Sequence, residues 1–497
     1  MTDGSFSAGI GRVTITPPLT APHASWGAQV HVLPDGIHEE LFGTVLVVSD
    51  GRTTAAFCEL EVVVISRDQS DSIRAAVADE LGITVEHVRC SISHNHAGPP
   101  PSAWNWTKIG QDALDNYYNL LPAQLAGAAR AAKLAARPAR VGFGLGESHV
   151  AVNRRETAPS GRTVTGVNPD GAIDPEVLVV RIDGTDGEPI GSIVGYTMHP
   201  TFLGPTNRLI SSDWPGQMRK VVEQVSGVPC LFAQGATGDI GPGPKGFSDD
   251  LKAVKAVGGQ VGCEAARVYL SIDLPAVRYE HERIWESGAP LGKWKAIPID
   301  EEAPIVRAQS IWIDLPLDQQ VPLAEAKQRV ADAQAKLDEL KASGAPAAEV
   351  EAATFVAKRA NMTLTRSSNY DGKKATPTEM HILQIGPVVF AGSKANLFLK
   401  LARRSRRRLP LPPPGSEVTP AAGLVMCRRP KSDFARDTKS TPLLSLKMPP
   451  MCSRKTRFLR SICWRANATE LGVIAIPCRW QLPGGPFIRP QWRIRRD

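Results

Sequence analysis

Two histidines in one short segment have the residue type and spacing for metal chemistry. His94 and His96 lie in Ser93-His-Asn-His-Ala-Gly-Pro-Pro, directly after an apolar run. Side chains two residues apart on an extended backbone point to the same side, so both imidazoles can converge on one point. Neutral imidazoles suit Zn²⁺, and a catalytic zinc usually keeps three or more protein ligands and a water. Taken alone, His-x-His more often marks surface histidines on a loop.

A third histidine changes that balance. His199 lies in Tyr196-Thr-Met-His-Pro-Thr, at the end of another apolar run. Ligand sites in open α/β sheets gather at the carboxyl ends of strands, so three histidines at two such ends favour a metal site. The alternative for His199 is a structural histidine beside a proline. The segment Asn153-Arg-Arg adds guanidinium groups that could bind a carbonyl oxygen or a carboxylate, although exposed arginine pairs are more often solvated.

A glycine-rich segment follows a further apolar run. Gln234-Gly-Ala-Thr-Gly-Asp-Ile-Gly-Pro comes after Cys230-Leu-Phe-Ala, and its glycines permit a tight turn and close backbone approach to a ligand. The segment has neither the Lys-Ser/Thr ending of a P-loop nor the spacing G-x-G-x-x-G, which excludes a nucleotide site. Asp239 could orient a histidine through its carboxylate, or serve only as a turn residue.

The hydrophobic pattern of residues 1–394 predicts the elements that would position these groups. Apolar runs predict strands at 44–49, 54–58, 87–93, 176–182, 190–196, 230–233, 381–385 and 388–391. Asp50-Gly51 between the first two runs indicates a β-hairpin. Helices are predicted at 68–81, 111–136, 213–225 and 249–271, and a helical hairpin at 322–361. The predicted fold class is α/β, a mixed-sheet hydrolase domain with a helical-hairpin insertion, followed by an irregular basic tail.

In this chain of 497 residues, the balance of charged residues changes after residue 394, where the predicted domain ends. Residues 395–497 carry 22 Lys and Arg against 5 Asp and Glu, whereas residues 1–394 carry 36 against 45. The net charge of +8 therefore comes from the tail and does not indicate a nucleic-acid-binding protein. All 10 histidines precede the tail, so any histidine chemistry does too.

Composition also bears on class and location. Hydrophobic residues at 42% and charged residues at 22% are ordinary for a globular protein. No apolar run approaches the roughly 18 residues that span a bilayer. The first residues show no export signal, which predicts a cytoplasmic location. No two of the eight cysteines form a C-x-x-C pair, so free thiols are expected.

Five segments, in their order and spacing, resemble the neutral (alkaline, non-lysosomal) ceramidase family over residues 7–394. They are Ala8-Gly-Ile-Gly-Arg-Val-Thr-Ile-Thr-Pro-Pro, Ser93-His-Asn-His-Ala-Gly-Pro, Asn153-Arg, His199-Pro-Thr and Gln234-Gly-Ala-Thr-Gly-Asp-Ile-Gly-Pro. The resemblance implies hydrolysis of the ceramide amide into a sphingoid base and a fatty acid, with one zinc ion as cofactor. Zinc would lower the pKa of a water molecule toward roughly 7.

The resemblance also implies roles for individual residues. His94 and His199 would bind zinc, and His96 and Arg154 would contact the substrate amide and its developing oxyanion. The expected catalytic residues are His96, Arg154 and Asp239, and the expected substrate-binding residues are Asn153 and Gly241. The expected partner is a small-molecule lipid amide, with peripheral membrane contact and without nucleic acid. The oligomeric state stays open.

Two departures from the family bear on activity. The family has a serine that is important for activity where this chain has Gly241. The family also completes its zinc site with a Glu in Gly-Glu-Pro and a Tyr in a Gly-Tyr-Val-Pro-Thr-like segment, and neither segment occurs in this sequence. The chain as written is therefore expected to bind zinc weakly and to be inactive.

A shifted reading frame near residue 394 would account for both missing segments. With a suitable third base in each codon, a one-base shift permits Gly-Glu-Pro in place of Ala395-Asn-Leu. The same shift through residues 418–429 permits Gly-Tyr-Val-Pro-Thr. We therefore predict that 395–497 is a frameshifted, disordered tail rich in Arg and Pro. The alternative is a genuine basic tail that binds nucleic acid or an anionic membrane.

Two other functions remain open at this point. A TIM-barrel metal hydrolase can also begin with His-x-His, but the later histidines, His281 and His381, lie in no motif that would complete its site. A non-catalytic lipid- or glycan-binding relative is the other alternative, and Gly241 favours it.

Overall fold

The computed structural model describes residues 5–23, 25–29, 31–102, 107–299, 303–317, 320–393 and 472–475. Apart from the short strand 472–475, the predicted frameshifted and disordered tail lies outside the described residues. Among the helices of this described part, none has both the length and the apolar character needed to cross a bilayer.

One mixed sheet forms the body of the protein. Its strands, in spatial order, are β12 (Cys230–Gln234), β10 (Pro189–Tyr196), β9 (Glu176–Gly184), β6 (Arg137–Glu147), β1 (Ser7–Thr14), β3 (Phe42–Ser49), β4 (Thr54–Leu60) and β5 (Val88–Ile92). The pairs β4–β5 and β10–β12 at the two edges are parallel, and the other neighbours are antiparallel. The predicted hairpin joins β3 to β4 with Ser49 opposite Thr54, which confirms that prediction.

Helices cover the outer faces of this sheet, and a helical hairpin is inserted near the end of the domain. They are α1 (Arg67–Leu81), α2 (Gln111–Ala135), α3 (Asp213–Ser226), α4 (Leu251–Leu270), α5 (Leu323–Ala342) and α6 (Ala347–Tyr370). Helix α1 begins with a capping box between Ser66 and Gln69 and ends at Gly82, whose φ of 70° is the left-handed conformation that glycine adopts readily.

The sheet bends so that its two edges approach each other. The amide of Phe232 in β12 donates to Oε2 of Glu59 in β4 at 3.3 Å. Side chains alternate along each strand. In β3, Leu46 faces a core enclosed by the facing halves of the sheet, whereas Val45 faces a core beneath α1 and α2. A third core lies beneath α3 and α4.

Smaller sheets complete the fold and carry part of the site. β2 (Gly36–Ile37) pairs with β11 (Leu209–Ile210), and β7 (Val152–Thr157) lies between β13 (Ile240–Gly241) and β8 (Thr163–Asn168). β14 (Val277–Trp285) and β15 (Leu291–Pro298) form an exposed ribbon. The last sheet has the order β16 (Val306–Pro316), β17 (Ala375–Ile385), β18 (Val388–Ser393) and β19 (Gly472–Ala475).

The mixed α/β class and the helical hairpin confirm the fold prediction, but several strands were missed. Strand β6 has glycine at alternate positions instead of an apolar run, because α4 lies against it. A Cβ on Gly144 would lie 2.7 Å from Cγ1 of Val268. The ribbon β14–β15 is exposed on both faces and has no apolar run. Helix α6 continues to Tyr370, beyond the predicted end at 361.

Buried His381 joins the last sheet to the body of the protein. Its Nε2 lies 2.9 Å from the carbonyl of Glu86, and its own carbonyl accepts a hydrogen bond from Arg89 at 3.0 Å. Burial, reinforced by the charge of Arg89, lowers the pKa of His381 to about 3. The folded protein therefore holds this imidazole neutral at pH values where the unfolded chain protonates it.

Replacing His381 should make the protein less sensitive to acid. Between pH 7 and pH 5 His381 becomes protonated in the unfolded chain but stays neutral in the folded protein. This difference lowers the free energy of unfolding by about 2 kcal/mol between the two pH values. In His381→Gln that loss is absent, and urea unfolding at both pH values should show a smaller decline than in the parent protein. An equal decline in both proteins would contradict this.

Candidate metal centre

Three histidines come together where the two edges of the sheet meet. His94 lies two residues beyond the end of β5, and His199 lies three residues beyond the end of β10. Both strands belong to parallel edge pairs, so their carboxyl ends face the same region once the edges approach. His94 has a φ of 63°, an uncommon conformation for a residue with a side chain and one often found at functional sites.

The imidazole nitrogens of the three histidines face one another. Nε2 of His96 lies 3.4 Å from Nε2 of His94 and 3.3 Å from Nε2 of His199. The potential ligand atoms of the three residues all lie within 4.8 Å of one another. The sequence pattern predicted that imidazoles from separate stretches of backbone would meet at strand ends, and they do.

The other ring nitrogen of each histidine contacts a backbone carbonyl. Nδ1 of His94 lies 2.7 Å from the oxygen of Val63, Nδ1 of His96 lies 3.2 Å from that of Ser25, and Nδ1 of His199 lies 3.3 Å from that of Thr237. A carbonyl only accepts, so these contacts assign the proton to Nδ1 in each ring. Each Nε2 then presents a lone pair to the other two.

This arrangement fits a metal ion. Three lone pairs at such distances have no proton to share and repel each other, whereas a cation bound among them would relieve that repulsion. Backbone carbonyls that fix the tautomer of a histidine are the usual outer partners of metal-binding imidazoles. Zinc accepts nitrogen ligands of this kind and usually requires a fourth ligand.

Burial favours the neutral form of two of the three imidazoles, those of His96 and His199. His94 and His199 are buried, and His96 is partly exposed. Burial lowers the pKa of His96 and of His199 well below the ordinary value, and the positive charge of Arg154 contributes to both shifts. Neutral imidazoles are the form that binds a metal ion.

Arg154 is positioned beside the histidines by the pairing of β7 with β13. Its backbone amide donates to the carbonyl of Asp239 at 2.8 Å, and its Nη2 donates to the carbonyl of Gly238 at 3.1 Å. The next residue along, Ile240, accepts a hydrogen bond from the amide of His199 at 3.3 Å. The glycine-rich segment therefore links Arg154 and Asp239 to His199.

Gly241 lies directly against the side chain of Arg154. A Cβ at Gly241 would lie 3.1 Å from Cδ and 3.3 Å from Cβ of Arg154. Any side chain at this position would press on the stem of Arg154. The glycine therefore leaves room for the present placement of the guanidinium.

Asn153, in strand β7, forms side-chain hydrogen bonds with neighbouring backbone groups. Its Nδ2 donates to the carbonyl of Ala172 at 3.3 Å, and its Oδ1 accepts from the amide of Arg155 at 3.0 Å. The substrate contact predicted for Asn153 stays a prediction.

The sequence pattern did not identify the loop that lies against His96. Ser25 contributes the carbonyl beside Nδ1 of His96, and the ring of Trp26 lies 4.9 Å from the ring of His96. These residues are separated from His96 by about 70 positions and belong to no motif, so only the fold brings them together.

Comparisons with known proteins agree with this fold. No family model matches the chain. Neutral ceramidase of Pseudomonas aeruginosa is 25% identical over 164 residues, which cover 31% of this chain and 24% of that protein. Neutral ceramidase A of Dictyostelium discoideum is 25% identical over 270 residues, which cover 49% of this chain and 37% of that protein.

Solved structures show the same fold. A crystal structure of neutral ceramidase from Pseudomonas aeruginosa matches with a TM-score of 0.54 and 16% identity, over 82% of this chain and 64% of that one. A ceramidase complexed with C2 matches with a TM-score of 0.53 and 17% identity, over 82% and 66%. The chain thus contains a neutral-ceramidase-like domain and spans less than two thirds of the length of the curated relatives it matches.

Proposed function

We propose that this chain derives from a zinc-dependent amide hydrolase that splits the linear amide bond of a lipid into an amine and a fatty acid. The observation that carries the proposal is the convergence of three Nε2 lone pairs beside Arg154. The fold shared with neutral ceramidases supports it, as does their sequence similarity to this chain.

His94 and His199 would hold the zinc ion, since both are buried and fixed by backbone carbonyls. Zinc, when bound, lowers the pKa of a water molecule and polarises a carbonyl group. His96 is more exposed than His94 and His199, so we assign it to contact with the substrate amide.

The chain's own groups supply the remaining chemistry. The guanidinium of Arg154 can donate hydrogen bonds to the oxyanion that develops when the amide carbonyl is attacked. Nε2 of His96 carries a free lone pair, so it can take up a proton and return it to the leaving amine. Asp239 belongs to the segment whose backbone carbonyls accept hydrogen bonds from Arg154 and His199, which supports a catalytic role for its carboxylate.

Gly241 bears on the choice of substrate. Glycine cannot supply the hydroxyl that ceramidases have at this position, so an N-acyl amide other than ceramide is the substrate we favour. The same residue favours the second candidate function, a lipid- or glycan-binding relative without catalysis.

We further propose that the frame shift near residue 394 removes the carboxylate and phenolate ligands that would complete the zinc site. The loss of Gly-Glu-Pro, the change in charge at residue 395 and the absence of histidine beyond it support this proposal. In the chain as written, the imidazoles of His94 and His199 would remain as the ligands.

An assay on the frame-corrected protein tests the proposed function. With zinc present, we expect release of fatty acid from ceramide or from shorter N-acyl amides, and loss of that release with a chelator. Binding of the amides without hydrolysis would favour the non-catalytic relative. If neither hydrolysis nor binding occurred, the proposed function would be wrong.

A further inference from the structure

A loop lies against His96, and a helix that is remote in sequence contacts this loop. Neither has a part in the chemistry proposed above. Residues 25–29, called the covering loop here, lie against His96. The amide of Ser25 donates to the carbonyl of His96 at 3.2 Å, and Nδ1 of His96 donates to the carbonyl of Ser25 at 3.2 Å. Ser25 therefore holds both the backbone and the ring of His96.

Trp26 of the covering loop packs between two other rings. Its ring lies 4.9 Å from the ring of His96 and 5.8 Å from the ring of Phe247, which it meets edge-on. Phe247 has a φ of 59° and is fixed by a hydrogen bond from its amide to the carbonyl of Thr201 at 3.1 Å. The position of Trp26 thus limits how far the imidazole of His96 can rotate.

The covering loop depends on polar contacts for its shape. Gln29 accepts a hydrogen bond from the amide of Trp26 at 2.9 Å and donates to the carbonyl of His23 at 2.7 Å. Gly27 and Ala28 at the tip are exposed. An exposed tip buries little apolar surface, so local opening is opposed mainly by hydrogen bonds.

Those hydrogen bonds include two from helix α6. Nζ of Lys358 donates to the carbonyl of Gly27 at 3.3 Å and to the carbonyl of Gln29 at 3.4 Å. A lysine ammonium has three donors and no acceptor, so one side chain can satisfy two carbonyls of a turn. Lys358 is the point at which the helical hairpin reaches the covering loop in the described contacts.

We propose that Lys358 is a positioning residue, which holds the covering loop against His96 and thereby fixes the orientation of that imidazole. The role of His96 in the reaction rests on the proposed function, whereas the restraint on its ring rests on the contacts alone. The helical hairpin then stabilises the geometry of the site through the covering loop.

The reactivity of His96 toward diethyl pyrocarbonate tests this in the full chain, freed of metal with a chelator. The reagent acylates neutral imidazoles that it can reach, and fragment mass spectra locate the modified residue. In Lys358→Met we expect His96 to be acylated about five-fold faster, the scale of one ordinary hydrogen bond lost at an exposed position. Lys358→Arg, which keeps the donors, should restore the parent rate.

Matched controls separate this role from a general loss of structure. Lys327→Met removes an exposed lysine from helix α5 and should leave the rate at His96 unchanged. Exposed His281 serves as an internal reference, and the melting temperature of each variant is measured. Trp26→Leu, which removes the packed ring without touching Lys358, should also accelerate acylation of His96.

An unchanged rate at His96 in Lys358→Met, with an unchanged melting temperature, would overturn the proposal. An equal increase in Lys327→Met, or failure of Lys358→Arg to restore the rate, would do the same. The measurement requires no turnover. A chain without amidase activity that still shows the Lys358 effect would therefore contradict the proposed function and leave this inference standing.

Discussion

The frame-corrected protein is expected to bind one equivalent of zinc about a thousandfold or more tightly than the chain as written. In the written sequence, the segments that carry the family's carboxylate and phenolate ligands are missing, and among the described residues the grouped potential ligands are three imidazoles. Loss of an outer partner of a metal ligand already costs 10- to 100-fold in affinity, so the loss of two direct ligands should cost at least that much each. Competition with a chromophoric chelator measures both affinities under the same conditions.

The histidines provide the control for this comparison. In the frame-corrected protein, His199→Ala should reduce zinc affinity toward that of the written chain, because it removes a buried ligand whose tautomer is fixed by Thr237. One tightly bound equivalent of zinc in the chain as written would refute the prediction. The nucleotide sequence is a separate check, since the shifted frame must encode Gly-Glu-Pro after residue 394.

The histidine cluster of the candidate metal centre could be predicted from the sequence because its signals are local. His94 and His199 each follow an apolar run, and the carboxyl ends of strands are where such sites form. The meeting of the two strand ends could not be derived in the same way. It depends on the bending of the sheet, which brings β12 to β4 and is marked by the contact between Phe232 and Glu59.

The contacts that orient the site were beyond sequence reasoning for a different reason. Carbonyl oxygens of Val63, Ser25 and Thr237 fix the imidazoles, and a backbone group leaves no trace in residue type. The alternating glycines of β6 also misled the strand prediction. They are required because helix α4 packs so closely on the strand that a Cβ would clash with its side chains, and they interrupt the apolar run expected of a strand. Residue type predicts burial and chemistry well, and predicts close backbone approach poorly.

Replacing Arg154 should have the largest effect on the chemical step. In the frame-corrected protein, Arg154→Ala should lower kcat by about 100- to 1000-fold, the usual cost of losing a donor to a developing oxyanion. Zinc stoichiometry should stay at one, because Arg154 contacts the glycine-rich segment and is not among the potential metal ligands. Steady-state kinetics and metal analysis on the same sample measure both quantities.

The neighbouring residue offers a matched control for this variant. Arg155 carries the same charge and is exposed, so Arg155→Ala should leave kcat within about two-fold, as expected of a surface substitution. Arg154→Lys retains the charge but not the paired donors of a guanidinium, so it should recover only part of the lost rate. If Arg154→Ala and Arg155→Ala reduced kcat equally, the effect would be one of general charge, and Arg154 would have no specific part in stabilising the oxyanion.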